Sequence, residues 1–233
     1  MSTLDPSTAL SESPPALGGE AGGEARQITM SKEVQRKLIH LCSLSIPLLA
    51  IRFDRWEMLS VIAPLAALSL VVELLRRRSA ALERLLQRMF GSMLRPHETS
   101  ASSRTFNGAT WVLVSATLCL LVFPKVVMVT GFTVLIISDT LAALVGRAFG
   151  RHRFLRKSLE GTMTFALSAM AISVVMWAVF SQSPLFIVIG VVASLVAALV
   201  EAMSGGGKSL DDNLTIPFSF GLVLWGGIAL MGL

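Results

Sequence analysis

Seven apolar stretches, separated by polar or charged breaks, dominate the chain. They run from about Leu38 to Ile51, Met58 to Leu75, Ala109 to Phe123, Val126 to Phe149, Thr162 to Phe180, Leu185 to Met203 and Leu214 to Leu233. A hydrocarbon core about 30 Å thick asks for roughly 20 apolar residues per helix. The first stretch, which contains Pro47, and the third fall short of that length. Composition points the same way. Of 233 residues, 53% are hydrophobic and only 15% charged, where a soluble domain carries roughly 25% charge. Mean hydropathy is +0.70. These features predict an all-α polytopic membrane bundle of about seven transmembrane helices and leave no room for a sizeable soluble domain.

Residues 1–30 are rich in Ser, Pro, Gly, Ala and Glu and show no apolar period. Such a segment cannot bury enough surface to offset its ordering entropy, so a disordered tail is expected there. Asp5 and Glu12 come early and no apolar core follows them, so the tail does not read as a signal peptide. Residues 31–233 then form one membrane domain. Cys42 and Cys119 both fall in apolar stretches and make neither a disulfide framework nor a zinc spacing.

Charge orients the bundle. With seven spans, the tail and the second, fourth and sixth loops share one side. Arg26, Lys32, Arg36 and Lys37 lie there, as do the basic residues of 76–104 and 147–157 and Lys208. Of the 20 Lys and Arg residues, only Arg52, Arg55 and Lys125 fall on the other side. Basic residues accumulate in the cytoplasm, so the N-terminus is expected inside a cytoplasmic (inner) membrane and the C-terminus outside. The net charge of +5 then reflects loops facing anionic headgroups, and no nucleic-acid partner is expected. Residues 79–95 read as an amphipathic helix lying on that leaflet.

Ionisable residues inside spans cost several kcal/mol and are read as functional. Here they converge on the cytoplasmic half: His40, Glu73, Asn107, Asp139, Glu160, Thr162, Glu201, and the run Asp211-Asp212-Asn213, beside Arg36, Lys37, Arg147 and Lys157. Carboxylates gathered with Lys and Arg suit a multiply anionic ligand with Mg²⁺, which binds through one or two carboxylates plus substrate phosphates, while the basic groups hold phosphate oxygens. Phosphoryl or nucleotidyl transfer follows. Ala142, Ala143, Gly146 and Gly150 form a stripe of small residues behind Asp139 that serves either helix packing or close approach of a ligand. The segment from Ala202 to Ser209 satisfies a loose Walker A pattern but lacks the strand-to-helix context that a phosphate loop needs. His97 and His152 sit in loops with no partner pattern.

Four segments carry a family resemblance: Glu33-Val-Gln-Arg36-Lys37-Leu-Ile-His40; Phe106-Asn-Gly108-Ala-Thr-Trp111; Ser138-Asp139 through Gly146-Arg147 to Lys157-Ser158-Leu-Glu160-Gly161-Thr162; and Glu201-Ala-Met-Ser with Asp212-Asn213-Leu-Thr-Ile-Pro217. In order and spacing, from about Lys32 to the end, the chain resembles the CTP-dependent lipid alcohol kinases, which comprise dolichol kinase, phytol kinase and fungal-type diacylglycerol kinase. The resemblance implies a cytoplasmic site where CTP phosphorylates a membrane-embedded alcohol. Its expected essential positions map to Arg36, Lys37, Asp139 and Gly146. Ser138 departs from the pattern, since relatives often carry Gly there.

On that reading Asp139 binds Mg²⁺ or accepts the alcohol proton, with Lys157 and Glu160 completing the catalytic set. Arg36, Lys37, Gly146, Arg147 and Asn213 serve the nucleotide phosphates, and Glu201 and Asp212 join Asp139 as metal ligands. Two other functions compete. The CDP-diacylglycerol synthases share a Lys-Ser-x-Glu-Gly segment like Lys157–Gly161, but their later His-Gly-Gly and paired-aspartate signature is missing. A transporter would place its acidic residues near the midplane and usually shows repeat symmetry, and the sequence carries no internal repeat.

Overall fold

A computed structural model describes residues 37–38, 40–76, 78–90, 107–204 and 211–232. The expected tail, Arg36, His97 and most of the Walker-like segment lie outside these residues. The described chain is helical apart from one small hairpin. Its helices are α1 (Ser45–Arg52), α2 (Arg55–Arg76), α3 (Ala80–Phe90), α4 (Gly108–Val122), α5 (Lys125–Phe149), α6 (Leu159–Val179), α7 (Leu185–Met203) and α8 (Asp212–Leu230). Five are long and apolar enough to cross a membrane; His40–Arg52 and Gly108–Val122 are apolar but shorter. The seven expected stretches thus correspond to helices, and the two expected to be short are short. Residues 79–95 match α3 as far as Phe90.

The first stretch is interrupted for a chemical reason. Pro47 has no N–H to offer the Ser43 carbonyl, which accepts the Ile46 N–H at 3.0 Å instead. The chain therefore turns at Ser43–Leu44 before α1 begins.

At the opposite end of α1, the basic residues that broke the charge asymmetry have structural work. Arg55, opening α2, donates from Nη2 to the Phe123 carbonyl at 2.7 Å. Lys125, opening α5, donates from Nζ to the Ile51 carbonyl at 3.2 Å. Each satisfies a carbonyl that a helix C-terminus leaves without an intrahelical partner.

The bundle is built around α5, whose apolar window is 78% buried, against 28% for α2 and 33% for α6. Helices α1, α6 and α8 pack on it, α7 lies between α6 and α8, and α2 reaches the bundle through α4. Phe123, Phe132, Phe165, Phe186 and Phe220 are fully buried between these layers. Leu65 and Leu68 on α2, Leu167 on α6 and Leu195 on α7 point outward, as expected where lipid rather than water is the solvent.

The small-residue stripe of α5 proves to be a packing seam. A Cβ at Gly146 would stand 2.8 Å from Ser158 Oγ, and one at Gly161 would stand 2.9 Å from the Ala142 carbonyl. The two glycines let the start of α6 press against α5 backbone to backbone. Between them, β1 (Arg153–Phe154) and β2 (Lys157–Ser158) form an antiparallel hairpin, with Leu155 at its turn in the left-handed region (φ 52°).

Candidate active site

The hairpin connects α5 to α6 and also docks on α7. The Arg156 N–H donates to the Ala202 carbonyl at 3.1 Å. Ser158 caps α6 by accepting the Gly161 N–H at 3.2 Å, which is the role a serine takes at a helix start. Held at both edges, β2 presents Lys157 inward. Its Nζ donates to Glu201 Oε1 at 2.5 Å and to Asp212 Oδ2 at 3.2 Å. One ammonium thereby ties the end of α7 to the start of α8.

A second lysine lies close by. Lys37 donates to the Asp139 carboxylate, and also to the Asp139 carbonyl at 3.3 Å. Lys37, Asp139 and Glu201 are all buried. The two ion pairs are electrostatically one cluster, because Lys157 and His40 both lie within reach of Asp139. Burial pulls the Lys157 ammonium toward neutrality, but Asp212, Glu201 and Asp139 outweigh it and hold its pKa above the ordinary lysine value. Lys157 therefore stays charged at neutral pH.

The start of α8 is organised around Asp211, which accepts the Asn213 N–H at 3.0 Å and Asn213 Nδ2 at 2.6 Å. This arrangement turns the Asn213 amide to its own helix cap and aims Asp212 at Lys157. The end of α2 and the start of α4 meet beside it. Glu73 pairs with Arg76 at 2.8 Å and accepts the Asn107 N–H at 3.1 Å. Asn107 in turn caps α4 by accepting the Thr110 N–H at 2.9 Å.

Of the residues singled out from the sequence, Lys37, Asp139, Lys157, Glu201 and Asp212 come together, with Asn213 adjacent. Glu160 faces elsewhere. Its Oε1 accepts the N–H groups of Arg151 and His152 at 3.0 and 3.2 Å and shares a hydrogen bond with His152 Nδ1 at 2.9 Å. His152, which carried no partner pattern in sequence, thus has a partner, and the two residues brace the corner leading into the hairpin. Gly146 lies in the α5–α6 seam, and Arg147 is exposed at the end of α5.

The cluster's donor chemistry suits a divalent cation with phosphate. Three carboxylates face two lysines, and Glu201 Oε2 is buried without a hydrogen-bond partner. Among the described residues no three acidic, His or Cys side chains form a ready-made metal cage. Mg²⁺ commonly takes one or two carboxylates and completes its shell with water and substrate phosphate. Each lysine ammonium has three donors. Among the described residues Lys37 and Lys157 each make two hydrogen bonds.

No family model and no solved structure matches the chain. It is 27% identical over 81% of its length to the uncharacterized protein RP860 of Rickettsia prowazekii, covering 91% of that protein. It is 36% identical to a phytol kinase of Synechocystis, over 42% of each chain. It is 29% identical to the CTP-dependent diacylglycerol kinase 1 of Schizosaccharomyces pombe, over 62% of this chain and 69% of that protein. The chain is thus similar, over part of its length, to two lipid kinases, one of them CTP-dependent.

Proposed function

We propose that the protein transfers the γ-phosphate of CTP to the hydroxyl of a lipid alcohol (a polyprenol such as dolichol, phytol or a diacylglycerol) at the cytoplasmic face of the membrane. The observation that carries this reading is the joined pair of ion pairs, Lys37–Asp139 and Lys157–Glu201/Asp212, assembled from elements far apart in sequence at one end of the bundle. Phosphoryl transfer needs positioning and charge neutralisation more than covalent help from the protein. Lys37 supplies buried positive charge and Lys157 partly buried positive charge, and a contact with a phosphate oxygen counts for more where water is excluded.

On this reading Asp139 accepts the proton of the attacking hydroxyl, and its ion pair with Lys37 supports that role by holding the carboxylate. Glu201 and Asp212 would hold magnesium together with the phosphates, which supplies further neutralisation of the transferring group. Arg147 adds positive charge for the phosphates, as does Arg36, which lies outside the described residues, and Asn213 belongs to the helix start that carries Asp212. Gly146 acts through the seam that sets the hairpin, and Glu160 through the corner that precedes it. The alcohol enters sideways from the bilayer, so its tail needs no water-filled pocket.

The test is incubation of the purified protein with labelled CTP or ATP and a panel of lipid alcohols. Label on a lipid with release of CDP supports the kinase. Release of pyrophosphate points to a cytidylyltransferase, and no transfer from any nucleotide points to a transporter. A folded Asp139→Asn variant that phosphorylates at the wild-type rate would falsify the role given to Asp139.

A further inference from the structure

Glu73 and Arg76 are both buried at the end of α2, and nothing in the proposed chemistry uses them. A buried ion pair adds little net stability, because desolvation offsets the attraction, and an apolar pair of similar volume often does as well. What the pair does supply is an acceptor aimed at one backbone group. Glu73 Oε1 takes the Asn107 N–H at 3.1 Å, and Asn107 Oδ1 starts α4 by taking the Thr110 N–H. Ser69 and Thr110 add a hydroxyl contact at 2.6 Å one turn deeper. The first residue of α4, Gly108, lies against Asn213, where a Cβ would stand 3.8 Å from Asn213 Nδ2. The next contact in the series is Asp212 on Lys157.

We infer that Glu73 is a positioning residue for the nucleotide site: by accepting the Asn107 N–H it sets the start of α4 beneath the start of α8, and so sets Asp212 and Lys157 for the triphosphate. This rests on the nucleotide reading above. Its content is that the acceptor oxygen, rather than the ion pair's charge, is what the site requires.

The two contributions separate by mutation. Glu73→Leu with Arg76→Leu removes charge and acceptor together, while Glu73→Gln with Arg76→Leu removes the charge and keeps an acceptor. Binding of labelled CTP to the purified protein in nanodiscs, CTP KM, kcat and thermal midpoint are measured for each. The leucine pair is expected to fold with a midpoint near wild type, to raise the CTP Kd and KM about tenfold, and to change kcat and the lipid KM less than twofold. The glutamine form is expected to restore CTP binding to within about threefold. Wild-type CTP affinity in the leucine pair, or no recovery with glutamine, overturns the inference. If the leucine pair does not fold, Glu73→Gln with Arg76→Leu decides: CTP affinity within about threefold of wild type upholds the acceptor role, and any larger loss overturns it. A wild-type protein that binds CTP but transfers nothing defeats the kinase reading, while the binding arm still reads the positioning role.

Discussion

Gly146 and Ser158 lie so close that a methyl group on the first would stand 2.8 Å from the hydroxyl of the second. Ser158 follows Lys157 directly and caps α6, so any push at Gly146 is delivered to the hairpin. Gly146→Ala gains about 1 kcal/mol of helix propensity but must displace a short, hydrogen-bonded side chain, for which overpacking costs about 1–3 kcal/mol. The expected result is a lower thermal midpoint and roughly tenfold weaker phosphotransfer. A temperature scan in detergent beside the transfer assay checks both.

Removing one member of the Lys37–Asp139 pair leaves the other buried without its counter-charge, which costs about 3–5 kcal/mol. Lys37→Met and Asp139→Asn are each expected to abolish activity and lower stability, while the double variant loses much less than the sum of the two. Additive losses of stability would show that the pair is not coupled.

Lys157 has a folded-state pKa above the ordinary lysine value of 10.5. A raised pKa contributes stability that is complete below the unfolded value and fades as pH climbs through the folded one. From pH 6 to 9, then, neither stability nor CTP affinity is expected to change through Lys157, and its contribution falls only above about pH 10.5. Comparing midpoints of wild type and Lys157→Met across that range isolates the residue. A gap between them that narrows near pH 8 contradicts the assignment.

Arg55 donates to Phe123 at the far end of the bundle from the lysine cluster. Arg55→Ala is expected to cost about 1.5–3 kcal/mol, the worth of a hydrogen bond involving a charged group, and to leave CTP KM and kcat unchanged. Activity measured well below the variant's midpoint tests this separation of ends.

Much of this was legible in the sequence. Apolar length marked the helices, down to the two short ones, because burial in lipid leaves long uninterrupted runs. The grouping of Lys37, Asp139, Lys157, Glu201 and Asp212 was legible because charge is so scarce in such a chain that alternation of loops alone gathers what remains. Pairing was not legible. Which carboxylate meets which lysine depends on a hairpin of two-residue strands, too short to leave an alternating pattern. The turn of Glu160 toward His152 depends on backbone N–H groups, and these carry no sequence signature. The stripe at Gly146 stayed ambiguous for a similar reason, since small residues serve a neighbouring helix and a ligand equally well until the neighbour is seen.

The enclosure of α5 has one more consequence. The helix bearing Asp139 is sheathed by protein over most of its length, whereas Leu65, Leu68, Leu167 and Leu195 face outward on other helices. Changes in bilayer thickness or tail saturation are therefore expected to act first on that outer wall and to reach the inner charges only through the packing between helices. On the proposed kinase reading, the fatty-acid makeup of the host membrane is expected to govern how readily an alcohol gets in, and to leave the charged cluster chemically the same.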